Sequence, residues 1–407
     1  GSEMCIRDRC IPEANAIRLR GAGLGLRLAF ATVGFESASP HPSGRWEINS
    51  RAFLHRFLLT PLAGRLAVDA PWATPRCERI VADFRPDERT GKWEAAIESF
   101  RAAWEARGHR RRFENCVAAV EREFQGWLRR MPAGGEPYAA ARELAAYVLW
   151  SAVVAPDGLL RRPTMLMSKR WMTRVWGWDY CFNAWALAYG LPQLAWDQLN
   201  LHFDHQHRTG GLPDSITNGE MVWNYCKPPI QGWTLKRLWE RSGWIDRRRL
   251  KEIYEPLSAW TRYWLEYRDW DGDGVPQYNH SNESGWDNAT VFEAGVPLEA
   301  PDLSAYLVQQ MDVLCEAAGR LGKRGEARSW RTRADKLLKR FLAHSWRGDR
   351  FVAPRSGDHR CAENQSLLCF MPLVLGQRLP REARAALTAG LKEEGRFFTA
   401  HGLATES

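Results

Sequence analysis

The sequence predicts a mainly α-helical chain: a toroid of paired helices, incomplete at its C-terminus, preceded by the remnant of a β-sandwich. Three observations predict it. The hydrophobic period is short and strand-like up to about residue 84, then turns helical from Lys92 onward. The helical segments are separated alternately by short turns and by long, motif-rich loops at 154–178, 208–227 and 268–301. No repeat of fixed period runs through them, which favours a ring of hairpins with its loops gathered at one mouth over an α-solenoid. A length of 407 residues fits two or three domains, drawn here as a β part over 10–90 and a helical part over 91–407.

In the β part, Ile17–Arg20, Leu26–Phe35 and Phe57–Val68 are apolar runs bounded by Gly, Pro and Ser, as strands with loops would be. In the helical part the spacing predicts helices near 92–107, 113–131, 137–153, 179–190, 193–207, 228–242, 246–267, 302–321, 324–344, 362–375 and 380–393. Local signals punctuate them: Pro301-Asp302 opens one helix and Gly322 closes it. The first nine residues, GSEMCIRDR, read as the translation of a sequencing adapter, GAG ATG TGT ATA AGA GAC for Glu3 to Asp8, and are set aside from fold reasoning. The chain stops at GLATES, and both true termini are expected to be lost.

Composition narrows the function. Hydrophobic residues make up 45% and charged residues 26%, enough to bury a core and too apolar for disorder. No apolar run approaches the roughly eighteen residues that a spanning helix needs, so no membrane partner is expected. Nine Cys without CxxC spacing argue against a zinc site or a disulfide framework, and their unpaired thiols point to the cytoplasm. The net charge of +9 is spread over short arginine clusters with acids nearby, such as Asp246 beside Arg247–Arg249, so nucleic acid is not expected as a partner. The outlier is 21 Trp, suited to holding flat, partly polar ligands as well as to filling a core.

Three loop segments carry the chemistry. In the first, Trp176 and Trp178 precede Asp179 at a helix start. Asp179 is either a plain N-cap or, with two indoles beside it, part of a sugar-binding floor: ring faces stack on pyranose C–H bonds while the carboxylate takes hydroxyls. In the second, Pro228 and Pro229 stiffen a helix entry and fix where Lys227, Gln231 and Trp233 point. The third has two parts. Asp269, Asp271 and Asp273 match the opening of an EF-hand loop, but position twelve is His280 in place of the bidentate Glu. An Asx-rich turn is the plainer reading; no cofactor is expected, with calcium on these three acids as the open alternative. The second part joins Glu283, Trp286, Asp287 and Asn288. A carboxylate desolvated by an indole has a raised pKa, as a general acid requires, and Asn282, Glu283 and Asn288 are placed to orient it.

Taken in order, Trp-x-Trp-Asp at 176–179, Lys-Pro-Pro at 227–229 and Glu-Ser-Gly-Trp-Asp-Asn at 283–288 resemble glycoside hydrolase family 63 and its bacterial mannosylglycerate-hydrolase-like relatives, and more distantly the trehalases. The resemblance covers about 140–407. It implies a six-hairpin (α/α)6 barrel and hydrolysis of α-linked glucosides or mannosides with inversion, Asp287 acting as general acid. It also implies that Trp176, Trp178 and Asp179 line the subsite of the released sugar, with Lys227 and Gln231 nearby. Two departures stand out. Ala289-Thr290 replaces the family's Ser-Pro, and the family's general base, a Glu after a downstream Tyr-Trp-Arg-Gly stretch, has no counterpart in these residues. Glu363 and Glu406 are assigned no such role. A non-catalytic carbohydrate-binding toroid, or a trehalase or phosphorylase on the same fold, remain the alternatives.

Overall fold

The computed structural model describes residues 7–168, 172–363 and 365–406, and divides into two compact units, Gly1–Arg129 and Arg130–Ser407. The first is β-rich. A six-stranded sheet runs in the order Arg7–Glu13, Ala16–Ala22, Lys92–Phe100, His55–Ala63, Trp46–Ser50 and Ser37–Pro40. A three-stranded sheet places Ile80–Arg85 between Leu26–Phe30 and Arg65–Asp69. Ile48, Leu59, Trp93 and Ala95 of the first sheet share one core with Ile80, Ala82 and Phe84 of the second. Trp93 is the pivot: it stacks on Phe84 at 6.1 Å, and its indole N–H donates to the Leu24 carbonyl at 2.9 Å.

This unit corrects two expectations. In place of the helix expected over 92–107, Lys92–Phe100 is a central strand, paired antiparallel with Ala16–Ala22 on one side and His55–Ala63 on the other. Its Glu and Ala residues favour a helix locally, but pairing along both edges and burial of Trp93 and Ala95 decide otherwise. The boundary accordingly moves from 90/91 to 129/130, and helix α1 (Phe113–Leu128) belongs to the first unit, where Phe113 and Cys116 pack on Cys10. Of the adapter-like stretch, residues 1–6 lie outside the described residues. Arg7, Asp8 and Arg9 pair with Gly21, Arg20 and Leu19, because a hairpin ladder needs only backbone groups.

The second unit is helical: α2 (Ala139–Ala152), α3 (Asp179–Leu187), α4 (Pro192–Asn200), α5 (Gln231–Ser242), α6 (Arg247–Tyr267), the single turn α7 (Ser281–Ser284), α8 (Pro301–Leu321), α9 (Arg324–Ser345) and α10 (Arg381–Lys392). The caps read from the sequence are in place: Pro301 opens α8 and Gly322 closes it at φ 84°. Elsewhere the ends move. Pro228 and Pro229 stay outside α5, which starts at Gln231, and α4 stops at Asn200. The segment expected to be helical over 362–375 is a 3-10 stretch, Leu367–Arg378, broken at Gly376. Among the described residues no helix is long and apolar enough to cross a membrane.

Helix α8 is buried on every face along its first three turns and packs against α5, α6, α9 and the 3-10 stretch. One polar latch on it is Gln310, whose Oε1 accepts from the Gly232 backbone N–H at 2.8 Å and whose Nε2 donates to Thr261 Oγ1 at 2.9 Å. Asp302, in its first turn, is fully buried beneath Tyr278, whose hydroxyl donates to it at 3.1 Å. Burial pushes its carboxyl up to about 7, against the lowering effect of its hydrogen bonds.

A folded-state value above the unfolded one means the folded chain holds an extra proton between about pH 4 and 7, so Asp302 makes the protein lose stability as pH rises through that window. Asp302→Asn, which keeps the acceptor for Tyr278, is expected to remove that loss, on the order of 2–4 kcal/mol at most. Thermal unfolding checks it: the gap between the Tm values at pH 5 and pH 8 shrinks in the variant. Gln310→Ala leaves a buried N–H without a partner and is expected to cost about 2–3 kcal/mol, read as a lower urea midpoint at unchanged slope.

Candidate active site

The three loop motifs converge. Val175–Trp176 pairs with Ser215–Ile216, which pairs in turn with Met221–Val222, so a small ladder presents Trp176, Trp178 and Asp179 at the start of α3. Between the two indoles, Gly177 donates its N–H to the Asp214 carbonyl, and its Cα lies so close to Lys227 that an added Cβ would stand 3.1 Å from that side chain. The 226–227 segment is tied to the 279–288 segment at two points. Cys226 N–H donates to Glu283 Oε1 at 3.2 Å, and Lys227 Nζ donates to Asn282 Oδ1 at 2.5 Å and to the Asn282 carbonyl. Trp178 closes the triangle by lying across Gly285, where a Cβ would come within 2.1 Å of its ring. Gly285 is left-handed at φ 75°, so the tight turn and the close approach both require glycine.

The carboxylates around this knot are electrostatically linked. Lys227 sits 3.5 Å from Asp214 Oδ1, and both are buried. Burial pushes the Asp179 carboxyl up; Lys227 opposes it, while Asp214 and Asp287 reinforce it. Asp214 is raised by burial in the same way, again with Lys227 opposing and Asp287 reinforcing. Asp287 therefore stands within charge range of both. Sequence reasoning also expected Trp286 to desolvate Asp287, and here the structure differs: Asp287 and Asn288 are exposed, Trp286 half-buried. The turn after α7 lifts residue 287 out of the packed layer, while Asp214 is buried and Asp179 half-buried.

Other candidates hold the site from behind. Gln231 is fully buried, with its amide donating to Gly177 O and Tyr180 Oη, both at 3.0 Å, and accepting from Trp260 at 2.8 Å. Glu283 is buried, gripped by both terminal nitrogens of Arg268 at 2.9 and 3.1 Å and by the N–H groups of Cys226 and Asn279. Trp233 packs between α3 and α5 against Phe182 and Trp185 and reaches Trp178 through Phe182. These three position the residues at the surface of the site. Glu363 is exposed and lies outside any helix; Glu406 accepts at 2.7 Å from the Oγ1 of Thr290, a residue three positions beyond Asp287. His280, twelfth in the acidic loop, caps α7 by accepting from Asn282 N–H at its Nδ1, and among the described residues the gathered ligand atoms are those of Asp269, Asp271 and Asp273 without it.

Sequence reasoning missed Asp214 and Arg268. Asp214 follows Pro213 in what reads as an ordinary turn, and Arg268 follows a helix end, where a basic residue is expected without function. Only the fold brings them to Lys227 and Glu283.

The architecture is shared with solved glycoside hydrolases. A family 63 mannosylglycerate hydrolase from Thermus thermophilus, in complex with glucose, superimposes with a TM-score of 0.51 over 62% of this chain and 76% of that one, at 18% identity. A bacterial glucoamylase complexed with acarbose gives 0.58 over 88% and 58%, at 10% identity. At such identities the likeness is one of fold. The family follows from the sequence: residues 172–407, more than half of the chain, match the mannosylglycerate hydrolase MGH1-like glycoside hydrolase domain, and the chain belongs to that family. The mannosylglycerate hydrolases MGH1 and MGH2 of Selaginella moellendorffii are 23% identical over 155 residues, 32% of this chain and 31% of theirs. The chain thus spans about a third of the length of the curated relatives it matches.

Gly285→Ala must displace Trp178 as well as strain the turn, so a stability cost of about 1–3 kcal/mol with an altered indole emission is expected. Gly322→Ala is the control: its φ is also positive, but nothing lies within 4 Å of the added methyl. It should cost about 1 kcal/mol and leave the emission unchanged.

Proposed function

We propose that this chain forms the sugar-binding and proton-donating part of an inverting α-glycosidase of the mannosylglycerate-hydrolase type, built on an (α/α)6 toroid. The observation that carries the reading is the convergence of Trp178, Lys227 and the Asp287 turn into one knot with an exposed carboxylate beside half-buried indoles. A pyranose seated on Trp176 and Trp178 would exclude water from Asp287 and leave its carboxyl facing the glycosidic oxygen, where a proton must be delivered. Asp179 and Asp214, held by Lys227, supply acceptors for sugar hydroxyls.

Inversion needs a second carboxylate about 6.5–9.5 Å from the acid to activate water. That role is left to a Glu downstream of the matched motifs, as the family resemblance implies. The substrate class is taken from the relatives: the Thermus thermophilus enzyme is a mannosylglycerate hydrolase seen with glucose and, separately, with Tris and D-glycerate. α-Mannosyl- and α-glucosyl-glycerate are the substrates to try first.

The test is hydrolysis by the longest reading frame containing these residues, followed by NMR to see which anomer is released first. Release of the β-anomer is expected, with Asp287→Asn lowering kcat by about 10²–10⁴. The same variant should keep most of its activity on an α-glycosyl fluoride, whose leaving group needs no proton. Equal losses on both substrates, or an unimpaired variant, would remove Asp287 from the role.

A further inference from the structure

A second cluster of chemically capable side chains serves no step above. Asp273 comes from the loop after α6, Glu299 stands two residues ahead of α8, His344 is in the last turn of α9, and His359 lies in the loop that follows. One ligand atom from each falls within 4.8 Å of the others. Glu299 is fully buried; its Oε2 is 2.5 Å from His344 Nε2, while its Oε1 is buried with no hydrogen-bond partner. His344 Nδ1 lies 3.6 Å from Asp273 Oδ2. His359 Nε2 lies 3.8 Å from that same oxygen and 4.0 Å from Glu299 Oε2. The imidazoles meet edge to face at 4.8 Å.

The charge around these atoms is unbalanced. Asp271 and Asp269 adjoin the cluster; Asp271 Oδ2 accepts from Gly357 N–H and faces His359 Nε2 at 3.3 Å, but Asp269 Oδ1 is a second buried oxygen without a partner. Among the described residues, no lysine or arginine is ion-paired with any of these four carboxylates. A buried carboxylate oxygen that accepts nothing is costly, and a bound cation is one remedy.

We infer that Asp273, Glu299, His344 and His359 bind one transition-metal dication of the zinc class. The donor set decides the class. Two imidazoles with two carboxylates suit zinc, cobalt or iron(II), whereas calcium takes six to eight oxygens and has no preference for nitrogen. Tetrahedral zinc at about 2.0–2.2 Å from its ligands sets them about 3.3 Å apart, so the widest pairs close by about 1–1.5 Å on binding. His359, the partly exposed member, gives the ion its way in. The ion would staple the loop after α6, the approach to α8, the end of α9 and the 355–360 loop. The inference is independent of the glycosidase reading.

The experiment uses the whole chain, stripped with EDTA and titrated calorimetrically with Zn²⁺, Co²⁺ and Ca²⁺ separately, with the Tm followed alongside. One equivalent of Zn²⁺ or Co²⁺ is expected, binding more tightly than Ca²⁺ and raising the Tm, with cobalt visible bands showing nitrogen ligands. His359→Asn is the key variant, since Asn tolerates the left-handed backbone at this exposed position (φ 52°). It should fold as the parent does and bind Zn²⁺ about tenfold or more weakly, with the Tm rise lost. His344→Gln should do the same. Zn²⁺ binding that is undiminished in both variants, or absent in the parent, overturns the inference. So does Ca²⁺ binding that is tighter than Zn²⁺ and indifferent to His359→Asn, which would return the site to Asp269, Asp271 and Asp273 alone.

Discussion

The carboxylate of Glu283 is the constraint on which the candidate active site depends. It is buried, so its charge must be met, and it is met from three directions: the Arg268 guanidinium from the end of α6, the Cys226 N–H from the segment ahead of α5, and the Asn279 N–H from its own loop. Removing one side of such a pair leaves a buried charge uncompensated, which costs about 3–5 kcal/mol. The adjacent Asn282 then receives Lys227, and Lys227 faces Asp214. The register of the Asp287 turn relative to Trp178 is thereby fixed from beneath, by residues that no sugar would touch.

This arrangement separates two tasks. Gln231, Glu283 and Trp233 lie under the site with their polar groups or ring faces committed to protein partners. Trp176, Trp178, Asp179 and Asp287 retain exposed or half-exposed surface. Motifs such as Lys-Pro-Pro-x-Gln and Glu-Ser-Gly-Trp-Asp thus mix holding residues with presenting ones at neighbouring positions. The carboxylates that burial raises, Asp179 and Asp214, share Lys227 as a cation, and Arg174 also acts on Asp214.

Much of the helical unit was legible because its signals are local. Pro301 and Gly322 bound α8 where the sequence placed them, and α6 begins at the Asp246 cap. The strand at Lys92–Phe100 was not legible, since Trp-Glu-Ala-Ala-Ile-Glu favours a helix until two partner strands are present. At the site, the motif residues could be named but not their exposure. Trp286 and Asp287 follow Gly285, a turn that packs against Trp178, more than a hundred residues earlier. Asp214, Arg268 and the two histidines of the second cluster carried no motif, because their meaning lies wholly in contacts across the chain.

The most direct measurement of the account is a crystal structure of Asp287→Asn soaked with α-mannosylglycerate. The account predicts a sugar ring stacked on Trp176 and Trp178, with its glycosidic oxygen about 2.6–3.2 Å from the side chain at 287. A folded protein that binds the sugar elsewhere, or shows Trp178 and residue 287 on separate surfaces, would contradict it.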